Sequence, residues 1–448
     1  MKLRRSTFMI TFILILAFFT VFGKSVITVT KSEKEIVILT RFEEYHFDMK
    51  TGNLTKVFIL TEKRVQIFEH DNDGFDLTIG GTALEVVGDP IIYGEKPEGA
   101  GFDKLVKLTF DYGIARKTYI VENNPNYTFY VDIETSTPCK VTLPRVWFPE
   151  TDRFVRDFYI SFAPKGKFIS IVKHDKGLVV ENVINIDGKE KMLVFMGPSK
   201  HTLIKQAFPS AYNNLMETLK KVKGFTSWYD PLFYGLVWFF WWLYNVTKNF
   251  GWAIIIFTVV VRLVLYPLYH AQTKSLMKMR KLQPFIEQIK RKYKDPAKRQ
   301  EALMKLYKES GVNPASGCLM LLVQLPIFFM LWAVIRYFVE EFAYGSRFLI
   351  WEDLSIGGFK ENIILVLATI VASYFTTLIT SQDVRSAWQG IIMSVIFPFL
   401  FISLPTGLFL YYTTNTLIQL VVTYYIYKKY RIKGITTREL LGLPNPRG

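Results

Sequence analysis

The stretch GWAIIIFTVVVRLVLYPLY, Gly251 to Tyr269, decides how the rest of the chain is read. It has close to the roughly 20 apolar residues a bilayer-crossing helix needs, yet it carries one charge, Arg262. An ionised side chain deep in such a helix costs roughly 2.5–3.5 kcal/mol on insertion scales, which makes it a functional-site candidate by default. Counting back from Tyr269 at about 1.5 Å per residue puts Arg262 roughly 10 Å inside one membrane face, a depth from which snorkelling relieves part of the cost. The plain alternative is a snorkelling or helix-paired arginine with no role. Thr258 lies one turn before Arg262 and Tyr266 one turn after, so the three share a helix face.

Composition bounds what surrounds this span. Apolar residues make up 50% and aromatic residues 16% of the 448, and 55 Lys plus Arg stand against 39 Asp plus Glu. The apolar residues gather into long runs at the N-terminus and after Asp230, the pattern of an integral membrane protein with one sizeable polar region between. Cys139 and Cys318 alone supply neither a disulfide framework nor a cysteine metal site. At the N-terminus, MKLRR precedes an apolar segment, Ser6 to Phe22, without a small-residue cleavage pattern. This favours an uncleaved anchor, residues 1–23, whose basic start stays in the cytoplasm.

From Lys24 to about Lys205 the pattern becomes short alternating runs: Glu35–Thr40, Tyr45–Met49, Lys56–Leu60, Leu105–Phe110, Lys117–Val121 and Tyr127–Ile133. Breaks such as Thr51-Gly52-Asn53, Gly80-Gly81 and Asn123-Asn124-Pro125 supply the positive-φ and proline positions that hairpins need. Residues 24–210 are therefore expected to form an antiparallel β-sandwich outside the membrane. His46, His70, His174 and His201 are scattered without ligand spacing, and no catalytic constellation or phosphate loop is present, so no metal, no cofactor and no enzymatic activity is expected.

Ala211–Val222 reads as a linking helix, and Asp230-Pro231 as an N-cap with proline at the first helical position. The aromatic run that follows is too short to cross and is expected to lie in the outer interface, so residues 211–248 form a linker and an interfacial helix. After the arginine span, 249–269, residues 270–316 hold twelve Lys or Arg against four Asp or Glu. Leu276, Met279, Leu282, Ile286, Ile289 and Tyr293 recur at helical spacing, Asp295-Pro296 breaks the run, and Leu303, Leu306 and Tyr307 begin a second amphipathic helix. This basic hairpin is either a topology signal or a docking surface for anionic partners, with Lys274, Lys278, Arg280, Lys281, Lys290, Arg291 and Lys292 the leading candidates.

Four further runs occupy residues 317–427, at Cys318–Val339, Asn362–Thr380, Ile391–Leu404 and Gly407–Tyr427. With the anchor and the arginine span they make six crossings. Glu340, Glu341, Glu352, Asp353 and Glu361 then fall in an outward segment, and the basic tail, residues 428–448, falls inside. Gln324, Ser373, Thr376, Thr377, Thr413, Thr414, Asn415, Thr416 and Gln419 lie within spans. Interhelical hydrogen bonding explains such residues in general. With an arginine among them, and no carboxylate deep in any span of the sequence, a hydrated cavity becomes competitive.

Several segments in one order, VVVRLVLYPL, QTKSLMKMRKLQPFIEQIKRKY, VNPASGCLMLLVQLPIF and FPFLFISLPTGLFLYYTTNTL, resemble the YidC insertase family. The resemblance covers nearly the whole chain, and the sandwich after the first crossing is similar to the supersandwich-like periplasmic domain of Gram-negative-type members. Leu319-Met320 stands where the family pattern has a proline soon after the cysteine. The resemblance implies a polytopic α-helical membrane protein of the bacterial inner membrane, with a five-helix insertase core, both termini cytoplasmic and the large domain periplasmic. It implies that polar or acidic client segments enter a hydrated groove formed by Arg262, Thr258, Tyr266, Gln324, Tyr412, Asn415 and Thr416, while client spans pass into lipid. Nascent membrane proteins, the Sec translocon, a ribosome or targeting receptor at the hairpin, and anionic lipids are the implied partners, and DNA is not. A small-solute channel or transporter with a charged pore is the alternative, although the internal repeats such proteins usually carry are not evident.

Overall fold

The computed structural model describes residues 26–442 apart from 61–63, 71–72, 99–100, 147–152, 156, 164–166, 176–181, 224–228, 268–269, 271–280, 312–325, 327–328, 346, 382 and 432–433. The expected anchor, Cys318, Gln324, Lys274, Lys278 and Arg280 lie outside the described residues. Two compact units meet in sequence at Thr226 and Ser227.

In the first unit, alternation of apolar and polar residues builds two antiparallel sheets. One runs in chain order through β1 (Thr28–Lys31), β2 (Glu35–Leu39), β3 (Glu43–Asp48), β4 (Leu54–Leu60) and β5 (Arg64–Glu69). The other contains β6 (Asp76–Ile79), β7 (Thr82–Ala83), β8 (Ile91–Glu98), β9 (Gly101–Asp111), β10 (Ala115–Glu122), β11 (Thr128–Thr142), β12 (Arg153–Val155), β13 (Phe158–Phe162), β14 (Phe168–Lys173) and β15 (Val183–Pro198). Its main path is β12-β13-β14-β15-β11-β10-β9-β8, with β6 on β11 and β7 on β6. The inward residues of the two sheets meet as aromatic pairs, Tyr45 with Phe129 at 5.1 Å and Phe47 with Tyr119 at 4.6 Å between ring centroids, which is the sandwich expected from the alternation. Tyr127–Ile133 proves to be only the opening of β11. That strand continues past a register break between Thr135 and Cys139, against β15, where the apolar alternation lapses.

Two helices follow the sheets, α1 (His201–Ala207), which the sequence pattern did not suggest, and α2 (Tyr212–Lys223), the linking helix. The second unit starts with α3 (Asp230–Thr247). Tyr229, not Asp230, takes the N-cap position, so Asp230 instead places its carboxylate in the first turn, where the helix dipole favours it. Val237, Phe240 and Leu243 are buried while Leu232, Trp238, Trp242 and Val246 are exposed, the two-faced pattern of a helix lying at an apolar boundary.

Helix α4 (Phe250–Val264) is capped by Asn249, whose Oδ1 accepts from Gly251 N at 3.0 Å and Trp252 N at 3.3 Å. A Cβ on Gly251 would stand 2.0 Å from the Phe348 ring, so only glycine allows this approach. This regular stretch ends at Val264, with a turn at Leu265 before the helical Tyr266 and Pro267, and Arg262 thus occupies its last turn; the expected end at Tyr269 lies outside the described residues. There the C-terminal end of the helix dipole favours a cation, which offsets part of the cost expected for a charge deeper in the helix.

Helices α5 (Gln283–Lys292) and α6 (Pro296–Glu309) form the expected hairpin, separated at Asp295, whose Oδ1 caps α6 at Ala297 N. Residues 329–337 are helical (α7), followed by α8 (Val339–Ala343), α9 (Phe359–Thr380), α10 (Val384–Leu400), α11 (Thr406–Lys429) and α12 (Thr437–Leu440). Among the described residues one helix, Phe359–Thr380, is long and apolar enough to cross a bilayer, and Phe250–Val264 and Val384–Leu400 are shorter apolar helices. Glu340 and Glu341, expected in an outward segment, are 2% and 5% exposed on α8. Helix α10 begins earlier than the expected Ile391, at a capping box between Asp383 and Ser386, and contains Pro398 in its last turn.

The tail also takes a defined course. Ile435 N donates to Leu378 O at 2.8 Å, Thr436 and Glu439 form a capping box, and Leu440 is buried beside Leu378 and Ala387. The last short helix therefore closes over the turn between α9 and α10.

Candidate functional site

Burial along α4 changes abruptly at Thr258. Phe250, Gly251, Ala253, Ile254, Phe257 and Thr258 are buried, and no later residue of the helix is. Helix α11 repeats the pattern: Thr406 to Tyr411 and Thr413 are buried, then burial does not return until Thr423. The closed end is an aromatic block in which Phe240 stacks 4.7 Å from Phe338 and Phe250 packs 5.0 Å from Phe342 and 3.9 Å from Tyr244. Hydroxyl and amide bonds reinforce it, Thr369 to Thr413 at 2.9 Å and Asn362 Nδ2 to the carbonyls of Ile402 and Leu404 at 2.8 Å each. Beyond Thr258 the helices no longer fill the space between them with buried side chains.

Arg262 stands in that looser region, half-buried. Its Nε donates to Asn415 Oδ1 at 2.6 Å, Nη1 to Gln419 Oε1 at 2.9 Å and Nη2 to Asn415 O at 3.2 Å. These are neutral acceptors. They satisfy directions of a group that can only donate and hold it in place, but they bring no negative charge. Gln419 Nε2 in turn donates to Thr423 Oγ1 at 3.1 Å.

The structure thus joins Arg262 with Asn415, two of the expected residues, and adds Gln419. The spacing of 415, 419 and 423 along one helix face was visible in the sequence, but not that Arg262 meets it. Thr258 is 1% exposed and its hydroxyl donates to Ile254 O at 2.6 Å, so it lines the closed end and offers no hydroxyl to the open one. Tyr266 is exposed, with its ring 5.9 Å from that of His270. Thr416 donates to Tyr412 O at 2.9 Å within its own helix. Tyr412 lies on the other flank, 5.9 Å from Phe397 between rings, beside an apolar cavity of about 30 Å³ lined by Trp332, Phe397, Pro398, Phe401 and Leu408. Helices α7, α10 and α11 meet at this cavity.

On the hairpin, Lys281, Lys290, Arg291 and Lys292 are exposed. Ile286 is buried while Phe285 and Met304 are exposed by 52% and 54%, so the hairpin presents apolar as well as cationic groups to its surroundings.

Ionisable groups in the β unit serve its architecture. His46 lies between Glu35 and Glu44 at 3.0 and 2.7 Å, and His201 meets the Tyr212 hydroxyl at 3.2 Å. Among the described residues no group of three His, Cys, Asp or Glu is placed to hold a metal. Lys117 is wholly buried and donates to Asn53 Oδ1 at 2.7 Å and Phe75 O at 2.8 Å, and burial pulls its pKa down to about 7. His70 holds Asp76 at 3.0 Å; their hydrogen bond raises the histidine pKa, and it keeps the aspartate pKa low against burial.

Comparison with known proteins places this arrangement. Residues 242–433 match the family model described as 60Kd inner membrane protein. A membrane protein insertase YidC of Thermotoga maritima is 61% identical over 424 residues, covering 94% of this chain and 95% of that protein. An active YidC insertase crystal structure with its first transmembrane domain resolved matches with a TM-score of 0.79 at 58% identity, over 95% of this chain and 100% of that one. The crystal structure of YidC from Thermotoga maritima matches with a TM-score of 0.68 at 48% identity, over 90% and 100%. These matches are to insertases and leave the channel reading without support. With both units, the arginine-bearing helix and the basic hairpin covered by one alignment, the chain belongs to the YidC family of membrane protein insertases.

Proposed function

We propose that this chain inserts membrane proteins by receiving a polar or acidic client segment beside Arg262 while the client's apolar span passes into lipid. The observation that carries this reading is the coincidence of two features. The bundle is closed by buried side chains up to Thr258, and immediately beyond it stands a guanidinium held by neutral oxygens. A cation in a low-dielectric surrounding attracts an anion far more strongly than in water. The bonds to Asn415 and Gln419 lower the cost of keeping it there.

In this proposal the open end faces the cytoplasm, both termini of the six-crossing chain lie on the cytoplasmic side of the inner membrane, and the β unit lies in the periplasm. Tyr266, Gln324, Tyr412 and Thr416 border the client path. Thr258 seals its floor. The short apolar length of α10 and the apolar cavity beside Phe397 and Phe401 suit a client span moving along α7 and α10. No bond is made or broken, so the chain acts as a chaperone and not as an enzyme. The hairpin, with Lys274, Lys278, Arg280, Lys281, Lys290, Arg291 and Lys292, recruits a ribosome, a targeting receptor or anionic lipid. The β unit contacts the Sec translocon.

Photoreactive residues at 259, 412 and 417 on the open side and at 254 and 410 in the closed end test the path. A stalled single-span client should crosslink to the first group and not to the second. Equal crosslinking to both groups contradicts it.

A further inference from the structure

Helix α10 stops early for a reason that lies on its neighbours. Its 17 residues reach about 25 Å, whereas the 22 residues of α9 reach about 33 Å, and the chain then turns at 401–404 towards α11. One side chain fastens that turn. Asn362, in the first turn of α9 and 0% exposed, donates from Nδ2 to the carbonyls of Ile402 and Leu404 at 2.8 Å each. Its Oδ1 lies 2.9 Å from Thr406 Oγ1, which shares its one hydrogen with Ile356 O at 2.8 Å. We propose that Asn362 is a positioning residue that holds this end of α10 short and thereby sets the length of client span the path favours. The inference rests on the path along α7 and α10 proposed above.

Irregular backbone at membrane depth needs its polar groups satisfied by protein. An amide side chain offers two N–H donors and an acceptor, and all three are engaged here with the turn or with the first residue of α11. Backbone bonds complete the fastening: Gly358 N donates to Ile402 O at 3.0 Å, Thr406 N to Ile356 O at 2.8 Å and Gly407 N to Leu354 O at 2.8 Å. Gly357 allows the approach, since a Cβ there would stand 2.3 Å from the carbonyl oxygens of Ser403 and Leu404.

What is fastened also lines the client path. Phe397, Pro398, Phe401 and Leu404 form one wall of the apolar cavity where α7, α10 and α11 meet. Trp332 of α7 stands 6.1 Å from Phe401, and Phe397 4.8 Å from it, between ring centroids. A turn released from Asn362 can satisfy its carbonyls only by moving towards water, which draws Phe401 and Leu404 off that wall and lengthens the apolar path. The fastened turn therefore favours client spans near the length of α10 over spans that match a full hydrocarbon core of about 30 Å.

The test uses the full-length protein in proteoliposomes with two single-span clients that differ only in apolar length, roughly 16 and roughly 22 residues, the reach of α10 and of a full crossing. Asn362→Leu should slow the short client roughly fivefold, the scale of one net hydrogen bond, and leave the long one near the unaltered rate. Gly357→Ala pushes the same carbonyls away without touching Asn362. It should do likewise, and it remains informative where Asn362→Leu fails to fold. Labelling of Ser403→Cys by a membrane-impermeant maleimide, in a background of Cys139→Ser and Cys318→Ser, should be several-fold faster in either variant. An unchanged labelling rate, or an equal loss for both clients, overturns the inference. A photoreactive residue at 397 in the unaltered protein probes the path itself. Without a crosslink to the short client there, the reading beneath the inference fails; with one, an equal response of the two clients removes only the role of Asn362.

Discussion

Arg262 Nε donates to Asn415 Oδ1 at 2.6 Å, fastening the last turn of α4 to the middle of α11 across 153 residues of sequence. Asn415 accepts twice, through its side chain and its carbonyl. Replacing it with leucine removes the shorter bond and leaves the half-buried cation one acceptor poorer. A hydrogen bond to a charged group is worth about 1.5–3 kcal/mol, so Asn415→Leu should lower the thermal unfolding midpoint of the detergent-solubilised protein and impair insertion. Asn415→Asp should keep the fold but cancel the charge. An unaltered midpoint in the leucine form would show that this bond is not held in the membrane-embedded protein.

The closed end depends on close approach at Gly251. Its missing Cβ would lie 2.0–2.5 Å from three atoms of the Phe348 ring, and Phe348 is itself held edge-on by Trp252 at 5.5 Å. Gly251→Val should therefore cost on the order of 1–3 kcal/mol by overpacking. Thermal unfolding followed by tryptophan fluorescence reads this, and Gly235→Ala on α3, where no atom lies within 4 Å of the added Cβ, is the matched control expected to change little.

The tail should behave as part of the helical unit. Gly434 would meet Leu378 O at 2.7 Å if it carried a Cβ, and Leu440 is 5% exposed beside Ala387. Gly434→Val or Leu440→Asp should release it, seen as faster protease cleavage between 430 and 442 with the remainder of the protein intact. Cleavage at the unaltered rate would contradict the docking.

Stability of the β unit should depend on pH through Glu43. Burial pushes this carboxyl up to about 8, against hydrogen bonds from Tyr45 and Thr40 that favour the ionised form. The folded state thus keeps a proton that the unfolded chain releases near 4.5. The stabilisation is fully present below 4.5 and is lost as pH rises through about 8. His70, raised by its bond to Asp76, acts in the same direction. Lys117, lowered to about 7, adds the opposite slope only above that pH. Hydrogen exchange of β3 and β4 amides in the full-length protein, corrected for intrinsic rates, should show protection falling from pH 5 to 7. Glu43→Gln should make that fall shallower, and an unchanged slope would contradict the assignment.

The sequence made some of this legible and hid the rest for physical reasons. Local periodicity revealed three strands of the first sheet, β2 to β4, and three of the second, β9 to β11, together with the hairpin with its break at Asp295 and the charged span. Each of these is written within a few turns of chain. The grip on Arg262 is different, because it depends on the rotation of α4 against α11, which no spacing records. Asn415 was singled out as polar and family-like, whereas Gln419 was only one polar residue among several. Thr258 shares a helix face with Arg262, but burial turns its hydroxyl to Ile254 O. Glu340 and Glu341 count in the sequence as charges of an outward segment, which says nothing of their burial, and they are packed. Docking of the tail rests on Leu440 with Ile435 packed beside it, two apolar residues in a short stretch and too few for a pattern.

Central to this account is a positive charge that meets the client's negative one. Its most direct measurement is a charge cycle: Arg262→Ala, Arg262→Lys and Arg262→Glu, each assayed in proteoliposomes with a single-span client bearing an acidic, neutral or basic N-terminal tail. The account predicts that alanine loses the acidic client, lysine largely keeps it, and glutamate rejects the acidic tail while accepting the basic one better than the unaltered protein does. Equal insertion of the acidic client by the alanine, lysine and glutamate forms would contradict it.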